Sequence, residues 1–179
     1  MKKHKKIIIF LFKFLGSYGL MVFLYLTYLN MTQADENQYQ CDPITQIVAE
    51  QTADLLNFVN IKSATDQHKE EFSYRLFIKD SYVARIVEGC NSVSVIILFI
   101  AFIIAFSATF KVTLLYILAG SFIIYWINVV RIAFIAFAIY QFPEYSDFLH
   151  QILFPLIIYG LTFLLWVIWI NYFLPKHKK

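Results

Sequence analysis

Four long apolar stretches divide this chain, and no other feature constrains its folding as strongly. The first runs Ile7 to Leu29 and is interrupted only by Lys13; the second runs Val93 to Phe110. The third starts at Val112 and reaches at least Val130, and the fourth runs from about Gln151 to Phe173. A helix needs about 20 apolar residues to cross a bilayer core of about 30 Å, so each stretch predicts a membrane span. The composition agrees: 60% of the 179 residues are hydrophobic and 15% charged, where soluble domains run near 45–50% and about 25%. A water-facing globule of this size could not hide that much apolar side chain. This excludes a cytosolic enzyme, a disordered chain and a nucleic-acid-binding domain.

Charge is sorted by position. Ten of the 12 acidic residues lie between Asp35 and Glu88, and the others are Glu144 and Asp147. The ends carry only base: Lys2, Lys3, Lys5 and Lys6 in front, Lys176, Lys178 and Lys179 behind. Lys111 separates the second and third spans. With four spans all three basic sites fall on one side, and basic flanks mark the cytoplasm. Both termini are thereby cytoplasmic, and the acidic stretches lie outside. The first span follows a basic segment, as a signal peptide would. Its apolar run exceeds the usual 7–15 residues or so and no small-residue cleavage site follows, so it reads as a retained anchor, with Lys13 snorkelling to its own end.

The chain then divides into an N-terminal anchor helix (1–29), an extracytoplasmic loop (30–89) and a membrane core with three helices (90–179). The fold class is all-α integral membrane with four transmembrane helices. The loop is expected to carry local structure. Asp42-Pro43 reads as an N-cap with proline in the first helical position, and Ile44, Ile47, Val48, Leu55, Phe58 and Val59 recur near helical spacing, which predicts an amphipathic helix. Phe72, Tyr74 and Leu76 alternate up to Ile78, Lys79-Asp80-Ser81 reads as a turn, and Tyr82 to Val87 is rich in β-branched residues: a small β-hairpin leading to Cys90.

Ionisable groups inside membrane segments are costly and mark function. Arg131 has no acidic residue within twelve positions; the plain alternative is an arginine snorkelling at the end of the third span. Cys90 lies 21 residues before Lys111 and Arg131 lies 20 after it. At about 1.5 Å per helical residue both sit roughly 30 Å from the cytoplasmic turn, level with each other at the outer surface, where His150 precedes the fourth span. A thiol becomes a nucleophile on losing its proton. An imidazole can take that proton and return it to a leaving amine. A guanidinium, which cannot act as a base, can hold a thiolate or an oxyanion. The three together suffice for acyl transfer. The other readings are a packing cysteine, an interfacial histidine, and a disulfide between Cys41 and Cys90, since both face an oxidising compartment.

Glu88-Gly89-Cys90-Asn91-Ser92, Asn128-Val129-Val130-Arg131-Ile132 and His150 resemble the three signature blocks of the exosortase/archaeosortase family, membrane cysteine transpeptidases. The resemblance covers roughly residues 82–171, and the compact chain looks like the exosortase F type. It departs at Ser92, where the family usually has glycine, a residue freer to take backbone conformations that serine resists. The resemblance implies a bacterial inner-membrane, multi-pass enzyme with its site on the extracytoplasmic side. Its substrates would be exported proteins ending in a short motif, a transmembrane helix and a basic tail. Cys90 would form a thioester, His150 would serve as acid/base, and Arg131 would hold the thiolate or oxyanion. An amine on a lipid or surface glycan would accept the protein. Membrane lipids and a small associated membrane protein are further expected partners.

Two residues are expected to support this site. Glu88 can orient His150 or Arg131, or simply be a solvated loop carboxylate. Asn128, one turn before Arg131, can bond Arg131 or a neighbouring helix. Tyr125 and Trp126 read as packing or interface aromatics. No cofactor or metal is expected, since His4, His68 and His177 are scattered. After Arg131 the apolar residues continue, and a continuous helix to about Gln141 is favoured over a kink that would lay residues 134–142 along the interface. Pro143 ends it in either case, and Pro155 is expected to bend the fourth span and open room beside His150. Two rival functions stand beside transpeptidation: a non-enzymatic subunit of a membrane assembly or secretion complex, and an intramembrane cysteine protease that releases its substrate by hydrolysis.

Overall fold

The computed structural model describes residues 2–33 and 39–174, with side chains other than those of residues 2–6 and 150. The terminal lysines that set the orientation, Asp35, Glu36 and the imidazole of His150 therefore lie outside the described side chains. The expected anchor is helix α1 (Lys2–Thr32). Three of its hydroxyls are turned back onto the helix: Ser17, Thr27 and Thr32 donate to the carbonyls of Lys13, Phe23 and Tyr28. This satisfies polar groups that lipid would leave unpaired.

Helix α2 (Pro43–Phe58) starts as expected, with Asp42 Oδ1 accepting from the Thr45 N–H at 3.0 Å and Pro43 in the first turn. Its buried stripe differs from the apolar pattern in the sequence. Thr45, Val48, Ala49, Thr52, Ala53 and Leu56 face inward, while Ile47, Phe58 and Val59 stay exposed. Small residues let the helix lie close to its neighbours, and Thr52 can be buried because its hydroxyl donates to the Val48 carbonyl.

The expected hairpin is present as β2 (Ser73–Ile78) and β3 (Ser81–Val87). Its turn holds Lys79 and Asp80 at φ 48° and 68°, the paired left-handed conformation that matches strand twist in two-residue hairpins. A third strand, β1 (Ser63–Gln67), pairs antiparallel with β2 and makes a three-stranded sheet in the order β1-β2-β3. Ser63-Ala64-Thr65-Asp66-Gln67 has no apolar alternation, and the strand is held at the edge by its ladder and by an ion pair from Asp66 to Arg75. The expectation of an all-α chain with one hairpin is corrected to that extent.

A 3₁₀ turn (Glu88–Cys90) leads into α3 (Val93–Ala105), and α4 (Phe110–Gln141) follows. After α4 come a 3₁₀ turn (Pro143–Tyr145), a single turn α5 (Ser146–Phe148), a π-helical turn (Leu149–Leu153), α6 (Phe154–Ile168) and a second π-helical turn (Trp169–Phe173). Among the described residues three helical runs are long and apolar enough to cross a membrane: Ile7–Thr32, Phe110–Gln141 and Pro143–Phe173.

The second expected span is shorter than its apolar window. At 13 residues, α3 reaches only about 20 Å at about 1.5 Å per residue. Its end is built into the packing. Phe106 leaves helical geometry at φ −108° and ψ 41°, and its carbonyl accepts from Trp169 Nε1 at 2.9 Å. The Ala108 N–H donates to Thr113 Oγ1 at the start of α4. Helix α4 runs unbroken to Gln141, as favoured from the sequence.

Two cores flank the junction between α3 and α4. One joins α2 and the sheet to the far part of α4 through Val48, Leu76, Ile78, Val129, Ile132 and Ala136. The other joins α3, α4 and α6 through Phe99, Ile103, Ile124, Ile158 and Trp169. Gly120 is required there, because a Cβ would stand 2.3 Å from Cζ of Phe99. Tyr125 belongs to the first seam, its hydroxyl donating to Gln51 Oε1 of α2 at 2.8 Å.

Candidate active site

Cys90 ends the 3₁₀ turn at the sheet's exit, half-buried and with a free thiol. Its peptide is gripped from two sides. From α4, Asn128 Nδ2 donates to the Cys90 carbonyl at 2.7 Å. From the chain itself, the Asn91 N–H donates to the Glu88 carbonyl and Asn91 Oδ1 accepts from the Val93 N–H at 2.9 Å. The Asn91 amide also donates to the Tyr25 hydroxyl of α1 at 2.9 Å and to Thr45 Oγ1 of α2 at 3.1 Å. Asn91 is 1% exposed, and all three elements meet at it. The sequence analysis quoted this residue only as part of a motif; its signal was an uncharged amide beside the thiol, which spacing alone does not rank.

Ser92, the departure from the family pattern, takes the left-handed conformation at φ 64° and ψ 0°. That backbone is where a glycine is at ease and an L-residue loses roughly 1–2 kcal/mol. The serine hydroxyl is buried and has no hydrogen-bond partner.

Arg131 is 4% exposed. Its Nη1 donates to the Phe154 carbonyl at 3.2 Å and its guanidinium stacks on the Phe154 ring at 3.5 Å. Its guanidinium is directed into the protein, and it lies within electrostatic reach of Cys90 and Tyr159. Pro155 follows Phe154 directly and acts on the turn before it. A proline cannot donate to the helix and crowds the carbonyl four residues back, and here the turn just before α6 is π-helical, the widened form found often at functional sites.

The backbone of His150 lies in that π-helical turn, one turn before Phe154; its side chain lies outside the described residues. Asn128 is 0% exposed and bonds the Cys90 carbonyl rather than Arg131. Glu88 is half-buried, and burial together with the nearby Asp42 carboxylate raises its carboxyl above the ordinary range. Among the described residues Glu88 makes no ion pair with Arg131. Cys41 is buried with a free thiol, pushed up to about 11 by burial first and Asp42 second, so it stays protonated and unreactive at neutral pH.

Between these elements lies a cleft of about 140 Å³, lined by Gly89, Ser92, Asn128, Arg131, Phe154 and Tyr159, with Val95, Pro155 and Ile158. Chemically the arrangement offers a free thiol on a fixed turn, a buried cation within electrostatic reach of it, and a recess lined by that cation and by Gly89 and Ser92 on either side of the thiol. Among the described residues no three His, Cys, Asp or Glu side chains gather as metal ligands.

The comparisons with known proteins bear on this geometry. A family model described as transmembrane exosortase matches residues 7–174. No curated protein and no solved structure matches the chain. The match runs from the anchor helix to the last helical turn, so it takes in the outer sheet and α2 as well as the three blocks around Cys90, Arg131 and His150. This chain belongs to the transmembrane exosortase family.

Proposed function

We propose that the chain is a compact, F-type exosortase that cleaves C-terminal sorting signals of exported proteins at the outer face of the bacterial inner membrane. Both termini face the cytoplasm in this reading, and four segments cross the bilayer, the short α3 being the second. Residues 1–29 anchor it, residues 30–89 stand outside, and residues 90–179 carry the chemistry. The observation that carries the reading is that α4 reaches the Cys90 turn twice: Asn128 bonds the Cys90 carbonyl, and Arg131, one turn on, lies buried within electrostatic reach of the Cys90 thiol.

The steps follow from the residues. His150 takes the Cys90 proton, and the thiolate is held by the guanidinium of Arg131. The thiolate sulfur attacks the carbonyl carbon just outside the substrate's membrane helix. Arg131 stabilises the tetrahedral oxyanion, the C–N bond breaks, and His150 returns the proton to the departing amine. The exported protein is left as a thioester on Cys90 and its helix and basic tail depart. An acceptor amine on a lipid or glycan then attacks the thioester, loses its proton to His150 and restores the thiolate. Glu88 supports the imidazole or guanidinium, and Asn128 fixes the nucleophile's peptide. A small associated membrane protein is a fitting partner for presenting substrates.

Cys90→Ala is the direct test. It removes one sulfur from a half-buried position, so the protein should remain folded in the membrane while uncleaved exported proteins accumulate. Unchanged trimming in that variant would sink the proposal. Mass spectrometry of the new C-terminus decides the outcome of the acyl-enzyme: an amide-linked adduct means transfer, a free carboxylate means hydrolysis.

A further inference from the structure

Three residues that line the cleft near Cys90 carry polar groups with no partner among the described residues. Arg131 Nε, Asn128 Oδ1 and Ser92 Oγ are all buried without a hydrogen bond, and all three residues line the same recess. Buried polar groups are almost always paired, so three orphans on one wall need an explanation. Each is held in place by other bonds. Arg131 is committed through Nη1 and its stacked face to Phe154. Asn128 is committed through Nδ2 to the Cys90 carbonyl, which fixes its amide the right way round, because a carbonyl only accepts. Ser92 is held in a backbone conformation that glycine would take freely. A strained residue that lines a cleft and keeps an unused hydroxyl buried at its edge is the pattern that points to ligand contact.

The three groups form a definite chemical complement. Arg131 Nε–H can only donate. Asn128 Oδ1 can only accept. The Ser92 hydroxyl can do either. A main-chain peptide unit offers one acceptor and one donor side by side, and the recess, at about 140 Å³, has room for such a unit with a small side chain. We infer that this cleft is the subsite for the substrate's backbone at the cleavage point: the peptide carbonyl accepts from Arg131 Nε and Ser92 Oγ, and the peptide N–H donates to Asn128 Oδ1. This rests on the transpeptidase reading for its choice of a peptide as ligand. It adds Ser92 and Asn128 as residues that touch substrate, and it gives the serine in the family's glycine position a function. The subsite reads backbone and small volume, so residues next to the cleaved bond should be small.

The test uses the full-length protein in phospholipid vesicles and reads alkylation of Cys90 by mass spectrometry. Two reagents with the same electrophile are compared: iodoacetamide, and iodoacetyl-diglycinamide, which carries peptide units into the cleft. The peptidyl reagent should label Cys90 with saturation and about 10-fold more efficiently than iodoacetamide, the scale of one or two hydrogen bonds. Replacing the glycyl–glycyl N–H by an ester oxygen should remove several-fold of that preference. Ser92→Gly should raise the thermal midpoint, because it relieves the left-handed serine, and yet lose about five-fold of the peptidyl preference. A serine with a purely structural position would give the first effect without the second. Equal labelling by both reagents in the parent protein, or an undiminished preference in Ser92→Gly, overturns the inference. Neither result depends on processing in cells, so failure of the subsite and failure of the Cys90→Ala test are told apart.

Discussion

Arg131 shows how a single residue is defined by its surroundings. A lysine would keep the charge, but it has one point of donation where the guanidinium has a fork and a flat face. Arg131 gives one arm of the fork to the Phe154 carbonyl and its face to the Phe154 ring, and an ammonium has no flat face to stack. Arg131→Lys is therefore expected to fold and to lose about 10²–10³ in turnover, the magnitude typical of losing an oxyanion donor. The rate of substrate processing in vesicles measures this, and a loss below about three-fold would show that charge alone suffices. The sequence made Arg131 conspicuous because a lone cation in an apolar run is rare. It gave no sign of Phe154, whose role comes from a carbonyl and a ring brought across from another helix.

At the scale of elements, α3 and α4 meet at a seam too tight for any side chain on one partner. The Phe99 ring occupies the place of a Cβ on Gly120, and Phe99 itself is fully buried. Alanine would favour an isolated helix over glycine by about 1 kcal/mol. Here Gly120→Ala should instead lower the thermal midpoint in detergent, with overpacking costing about 1–3 kcal/mol. Adding Phe99→Leu should return part of that loss; if it does not, the clash is not the cause. The hairpin was readable because alternation and a turn signal act locally. Strand β1 was not, because its residues are polar and its place is set by β2. The end of α3 was not readable either: the apolar run continues past Ala105, and the stop is made by Trp169 and Thr113 from other helices.

For the whole molecule, α1 is more than an anchor. Its Tyr25 accepts from Asn91, next to the nucleophile, and Thr45 of α2 accepts from the same amide. Helices α1 and α2 thus hold the turn on which the proposed nucleophile sits. Tyr25→Phe leaves the Thr45 bond in place and should cost about 1 kcal/mol, or about five-fold in activity. Combining it with Thr45→Val should cost more than the sum of the two, because the Asn91 amide then has no acceptor while buried. Strict additivity of the measured rates would mean that α1 and α2 do not act on the turn together.

The sequence by itself determined the class of protein, the positions of the apolar windows, the N-cap of α2 and the hairpin, and it singled out Cys90 and Arg131 as candidates. These are properties of composition, period and local chemistry, and each can be read from neighbours along the chain. The tertiary structure decided the rest: that Asn128 bonds the Cys90 carbonyl, that Asn91 ties three elements together, and that Ser92 sits in the left-handed region with its hydroxyl buried and unpaired among the described residues. Hydrogen bonds of this kind join residues 38, 46 or 66 positions apart. No periodicity along the chain records such partners, because they are chosen by which helices pack together and how closely.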